Sequence, residues 1–228
     1  GYVMDSELVE MSNKVVIIDH HRRSPDIING AILTYLEVYA SSTSELVTEI
    51  VQYMLDKPKI TKLEAEGLLA GIYMDTKNFT FKTGVRTFEA ASYLRKLGAD
   101  TIDIKKIFSN DLENYITKAE IIKSAKVEDN IAIAICPPNV KDTVTAAQAA
   151  DELLNITGIK ASFVFVIIDD NIYISGRSFG DINVQVILEA LDGGGHMTMA
   201  GTRLKGVSLE EALTMLKKSI KENLGEGE

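Results

Sequence analysis

The sequence predicts a mixed α/β protein of two α/β domains, and three observations carry that expectation. Val15–Ile18 is a short continuous apolar run closed by an acid, the pattern of a strand buried on both faces. Segments of helical periodicity, two of them opened by capping-box spacing, follow it. After a polar stretch, the strand-and-helix pattern restarts at Ile131. The 228 residues suffice for two modest domains.

Asp19 falls at the carboxyl end of the first strand, where ligands gather in open α/β sheets. In the Ser42–Leu55 stretch, Leu46, Val47, Ile50, Val51, Met54 and Leu55 repeat at helical spacing. Ser42 with Glu45 three residues on suits a capping box. Thr61 and Glu64 repeat the device for a helix running to Asp75. A third helix spans about Val85 to Leu97 and stops at Gly98, a good residue just past a helix end. Ile104 to about Val127 is polar and helical and reads as an interdomain connector. Ile131–Ile135 then reads as a strand and Thr143–Leu154 as a helix. Ala161–Ile168 and Ile172–Ser175 read as paired strands turning at Asp169–Asn171. Asp181–Leu191 reads as a helix, followed by Gly193-Gly194-Gly195-His196. A final helix begins at Ser208, with Glu211 completing its capping box. The expected organisation is a first domain over 1–110, a helical connector over 111–128 and a second domain over 129–228, with no internal repeat.

Composition narrows the function classes. Apolar content of 46% and charged content of 25% are those of a globular protein. One cysteine, Cys136, excludes an internal disulfide framework and suits a reducing, cytoplasmic setting. It stands in the apolar run IAIAICPP and reads as a buried small hydrophobe. The net charge of −9 and the lack of a basic stripe argue against a grip on long nucleic acid. No apolar stretch approaches the ~20 residues that span a bilayer. The opening GYVMDSELVEM has no initiator Met and reads as a segment entered midway.

Three clusters carry candidate chemistry. In Asp19-His20-His21, neighbouring side chains on a strand point to opposite faces, so both histidines serve one site only if the chain turns, as Pro25 and Asp26 suggest. One imidazole would then bind metal and the other bind or protonate an anion; the alternative is an ordinary solvated loop. Asp75 ends a helix, where the dipole disfavours an acid, which hints at a ligand role. The third cluster is ISGRSFGDINVQ with DGGGHMTMAG. Arg177 can fork onto a phosphate, and the glycines let backbone approach a ligand; two tight turns and a surface arginine are the plainer alternative. All three histidines fall in these clusters, which favours one shared site between two domains.

Together these residues resemble the DHH phosphoesterase superfamily. Asp19-His20-His21 match its name-giving motif, Asp75 in GIYMDTKNF its later single-Asp motif, and GRS at 176–178 with GGGH at 193–196 its DHH-associated C-terminal domain. IDHHRR, ASSTSELVTEI and RTFEAASYLRKLGAD resemble the GdpP type of cyclic-di-AMP phosphodiesterase. The resemblance implies a DHH domain with a parallel sheet, a smaller DHH-associated domain with a mixed sheet, and a two-metal phosphodiesterase that uses Mn²⁺. Two ions ~3.5–4 Å apart would generate a hydroxide nucleophile. His20 and Asp75 would ligate metal. His21 would contact the substrate phosphate or leaving oxygen, and Asp19 would orient an imidazole. Arg177, Ser178, Asn183 and the Gly194-Gly195-His196 loop would hold the far nucleotide. The product would be a linear dinucleotide.

The family also carries a His-x-Asp-x-Asp motif and a further Asp ahead of the DHH strand. No histidine precedes His20, and only Asp5 precedes Asp19. The expectation is therefore an N-terminally truncated DHH domain that holds half a metal site and is inactive or weak alone, with exposed core surface that a homodimer could cover. Full proteins of this type carry membrane helices and a sensory domain, which would put the parent at the cytoplasmic face of a membrane. Two alternatives remain: a DHH enzyme acting on short oligoribonucleotides or 3′-phosphoadenosine phosphate, and a nucleotide-binding module without catalysis.

Overall fold

The computed structural model describes residues 7, 9, 11–21, 30–54, 59–109 and 111–225. The chain forms two compact units, Gly1–Ser109 and Asn110–Glu228. The turn expected at Pro25 and Asp26, Asp5, and the last residue of the expected first helix, Leu55, lie outside the described residues.

In the first unit, β1 (Val16–Asp19) pairs in parallel with β2 (Leu33–Leu36), with Asp19 opposite Leu36. The apolar run does not bury both faces of β1 as expected. Val16 is exposed and Ile17 and Ile18 are half-buried. Among the described residues β1 has one sheet neighbour, and the exposed Leu33 lies opposite Val16. Three helices follow, α1 (Thr43–Met54), α2 (Lys62–Asp75) and α3 (Val85–Lys96), then a short α4 (Thr101–Ile107). Their core is Ala65, Leu69, Ile72, Ala90, Leu94, Ala99 and Ile104. The Thr61–Glu64 box closes in both directions. The Ser42–Glu45 box closes in one only: the Glu45 amide donates to Ser42 Oγ at 3.0 Å. The Glu45 carboxylate turns inward, accepting from Ser41 Oγ and Thr87 Oγ1, each at 2.6 Å. It is buried, and it ties the start of α1 to α3.

The second unit begins with α5 (Leu112–Lys123), which packs on α6 (Thr143–Leu154). Its mixed six-stranded sheet runs β3-β4-β5-β6-β8-β7. The strands are β3 (Lys126–Glu128), β4 (Ile131–Ile135), β5 (Ala161–Ile168), β6 (Asn171–Ser178), β7 (Gly194–His196) and β8 (Met199–Lys205). β4 and β5 pair in parallel, as a strand–helix–strand crossover through α6 requires. The β5–β6 hairpin turns at Asp169 and Asp170, both left-handed (φ +47° and +60°), the pair a tight primed turn needs. Alternation along β5 sends Phe163 and Phe165 to one core, with α7 (Val184–Glu189) and α8 (Leu209–Leu224), and Val164 and Val166 to the other, with α6. Both faces are thus covered. Among the described residues no helix is long and apolar enough to cross a membrane.

Candidate functional site

The first-unit cluster forms where β1 ends. His20 follows the strand and is buried; its Nε2 lies 3.5 Å from Oδ2 of Asp75. Asp75 is the last residue of α2, so two elements deliver an imidazole and a carboxylate to one point. The buried Thr76 behind it fixes the helix end: its hydroxyl donates to Ile72 O at 2.7 Å and accepts from the Phe79 amide at 2.9 Å. Lys77, Asn78 and Phe79 then run consecutively left-handed, at φ of +46° to +59°. Such conformations cost energy in residues with a Cβ. Thr76 and the Asn78 amide, which donates to Tyr73 O at 2.8 Å, hold this turn in place.

Beside this pair, His21 bonds back to Asp19. Its Nδ1 is 2.7 Å from Asp19 Oδ1, and its amide donates to the same oxygen at 3.1 Å. Burial raises the Asp19 pKa, but the His21 bonds outweigh it and hold the carboxyl below its ordinary range. An ionised carboxylate only accepts, so Nδ1 of His21 carries the proton and Nε2 is the free end of the ring. The two imidazole rings lie 4.4 Å apart at 56°.

In the second unit a cleft of about 510 Å³ opens between one face of α6 and the strands β6, β8 and β7. Thr143, Val144, Ala147, Gln148 and Asp151 line the helix side at helical spacing. Arg177, Gly194, Gly195 and His196 line the other side, so four of the expected substrate-binding residues come together. Ser178 and Asn183 lie apart from this lining. The buried Ser178 hydroxyl donates to Ile182 O at 2.6 Å, and the Asn183 side chain caps α7, accepting from the amides of Gln185 and Val186. The glycine run is not the loop expected from the sequence. Gly194–His196 is an edge strand paired antiparallel to β8.

The three glycines have different reasons to be there. A Cβ on Gly193 would fall 2.6 Å from Gly201 O, and one on Gly195, at φ +149°, would fall on Met199 O and Ala200 Cα. These two serve the fold. A Cβ on Gly194 would meet nothing, so this glycine leaves open space at the cleft. Gln148 and Asp151 escape the sequence reading because α6 shows only the ordinary pattern of a helix burying Ala146, Ala149, Ala150 and Leu153.

The chain matches the DHH family, N-terminal domain, over residues 4–72 and the DHHA1 domain over residues 128–222. The first match holds the Asp19-His20-His21 cluster, and the second holds the whole cleft. The chain belongs to the DHH family. This DHH chain is 48% identical over 225 residues to the cyclic-di-AMP phosphodiesterase GdpP of Bacillus subtilis (strain 168), covering 96% of the chain and 34% of the relative. It is 46% identical to the cyclic-di-AMP phosphodiesterase PdeA of Listeria monocytogenes, again over 96% of the chain and 34% of that protein. The DHH chain thus spans about a third of the length of these curated relatives. Its fold matches the crystal structure of an exopolyphosphatase-related protein from Bacteroides fragilis, with a TM-score of 0.78 at 23% identity over 91% of this chain and 63% of that one.

His20 Nε2 and Asp75 Oδ2, 3.5 Å apart, are the donors that could hold one edge of a divalent ion's shell after a small approach. Donors ~2.1 Å from an octahedral ion sit ~3.0 Å apart at right angles. Among the described residues no cluster of three or more His, Cys, Asp or Glu completes such a shell.

Proposed function

We propose that this chain is catalytic-region sequence of a metal-dependent phosphodiesterase that opens cyclic-di-AMP to the linear dinucleotide. The observation that carries the reading is the buried His20 imidazole facing Asp75, with the Asp19–His21 pair beside it. The named activity of GdpP and PdeA, at nearly half identity over almost the whole chain, supports the substrate.

In this reading His20 Nε2 and Asp75 Oδ2 hold a divalent ion, with Mn²⁺ as the proposed metal. When bound, two such ions supply an activated water and neutralise the charge that develops on the phosphate. Asp19 fixes the His21 ring and its tautomer. Only the charged ring carries a proton at Nε2 as well, and in that form His21 can donate to a phosphate oxygen or give the proton to the leaving oxygen. Among the described residues these two donors hold one edge of a shell and do not fix two hard ions, so turnover by this chain alone is expected to be weak.

The test is Mn²⁺ binding and cyclic-di-AMP turnover by this chain, beside one joined to the family's His-x-Asp-x-Asp segment. Turnover in the joined form, lost in His20→Ala and Asp75→Asn, is the expected result. A joined form that binds Mn²⁺ but leaves every cyclic dinucleotide intact overturns it.

The cleft favours a second reading, a nucleotide-binding module without catalysis, because its lining lies wholly within the second unit. Nucleotide binding that survives His20→Ala, with no turnover in either form, would select it.

A further inference from the structure

His20 follows β1 and Asp75 ends α2, so their spacing depends on how the strand and the helix are held relative to each other. Helix α1 packs against both β1 and α2. Its start is tied to the end of the strand pair. The Glu37 amide donates to Asp19 O at 3.0 Å, and the Ala40 amide donates to Glu37 O at 3.2 Å. Ser41, Ser42, Glu45 and Leu46, which follow, are buried. The Glu45 carboxylate, next to Ser44 in the chain, is held by the hydroxyls of Ser41 and Thr87. The first turn of α1 is thus a fixed point relative to the strand that leads into His20.

α2 meets that turn at Gly71. A Cβ on Gly71 would fall on Ser44 Oγ and lie 3.0 Å from Ser44 Cβ. The two helices therefore approach here to a distance that leaves room for glycine alone. Glycine inside a helix costs stability relative to alanine, so its place here has a packing reason. The restriction is local: a Cβ on Gly67, one turn earlier in α2, would meet nothing within 4 Å among the described residues. Asp75 stands one turn beyond Gly71 on the same helix face. Any movement of α2 away from Ser44 is carried along that face to the Asp75 carboxylate, 3.5 Å from His20.

We propose that Gly71 is a positioning residue: its contact with Ser44 seats α2 on α1 and so sets the spacing between His20 and Asp75. This rests on the reading of that pair as donors to one divalent ion.

The experiment follows two signals on the full chain. Manganese titration by electron paramagnetic resonance gives the affinity, and the amide and ring resonances of His20 in the metal-free chain report the spacing without metal. Circular dichroism confirms that each variant is folded. Gly71→Ala is expected to shift the His20 resonances and to lower the Mn²⁺ affinity by about tenfold. Ser44→Ala with Gly71→Ala removes the hydroxyl and leaves two methyl carbons 3.0 Å apart, a milder crowding that is expected to shift His20 in the same direction with a loss of about threefold. Ser44→Gly with Gly71→Ala moves the methyl from one helix to the other and is expected to restore both signals. Gly67→Ala is expected to change neither. A purely structural role would lower the urea midpoint and leave His20 and the affinity of the folded chain where they were. Unmoved His20 resonances in folded Gly71→Ala overturn the proposal; where that variant does not fold, the same result in the milder double variant does so. A swapped pair that stays about tenfold weaker also overturns it. A wild-type chain that binds no Mn²⁺ defeats the metal reading instead, and the His20 resonances then decide the positioning role by themselves.

Discussion

His20 and Asp75 face each other at 3.5 Å although one follows a strand and the other ends a helix. The helix dipole gives no support to a carboxylate at that end, and the imidazole is buried with its Nδ1 unbonded among the described residues. In the proposed reading, a cation that the pair would share accounts for both placements. His20→Ala and Asp75→Asn are each expected to lower the Mn²⁺ affinity of the chain by about tenfold or more. His21→Ala, which removes a ring turned toward Asp19, is expected to leave that affinity within about threefold. Manganese titration followed by electron paramagnetic resonance checks this. Equal losses from all three variants would count against the assignment of His20 and Asp75 as the ligands.

Glu45 predicts a stability effect of its own. Its buried carboxylate accepts from Ser41 and Thr87, and Arg86, bonded through Nε and Nη2 to Glu49, stands 3.9 Å from its other oxygen. Glu45→Ala strands two hydroxyls, and a loss of about 2–4 kcal/mol is expected from urea denaturation. Thr87→Val should be coupled to it, so the double variant loses less than the sum by about 1 kcal/mol. Full additivity would show that the network is not one unit.

What the sequence could and could not disclose follows from the range of the forces involved. Ile131–Ile135, Thr143–Leu154 and Ala161–Ile168 are read with their observed bounds because their patterns are local: continuous apolar runs, and a helical period. β2 is missed because Leu33–Leu36 is short and mostly exposed and gains its identity only by pairing with β1. β7 is missed because a glycine run signals a turn, whereas here β8 supplies the partner. The site divides the same way. The histidines, Asp75 and Arg177 stand out by residue type, but that Glu45 turns inward and that Asp151 faces Arg177 are tertiary facts. Four-residue spacing from Ala147 to Asp151 was the one signal that could have placed Asp151 on the cleft face.

The glycine run should separate fold from function by mutation. Gly195→Ala places a methyl on the backbone of β8 at a left-handed φ, so a loss of at least about 2 kcal/mol is expected. Gly194→Ala meets nothing and should stay within about 0.5 kcal/mol of the wild type. Thermal denaturation of the two variants side by side checks this. Equal destabilisation would mean that the edge strand, not the open space at Gly194, dictates all three glycines.

Cys136 gives the chain an alkaline limit. Burial, with the Asp142 charge adding to it, pushes the thiol up to about 12, while an unfolded thiol gives up its proton near pH ~8.5. The folded state holds a proton that the unfolded state releases, so the thiol's contribution is present in full below about pH 8.5 and is lost as pH rises toward 12. In that window stability should fall by up to about 1.4 kcal/mol per pH unit from this group alone. Cys136→Ala removes the titrating group and should flatten the limb, measured as urea midpoints from pH 8 to about pH 10. The same burial makes the thiol inert, so a disulfide reagent at about pH 8 should label it only once the protein unfolds. Rapid labelling of the native chain, or an unchanged alkaline slope in Cys136→Ala, would show that the thiol is reached by water and that the apolar run around it does not seal this end of the second core.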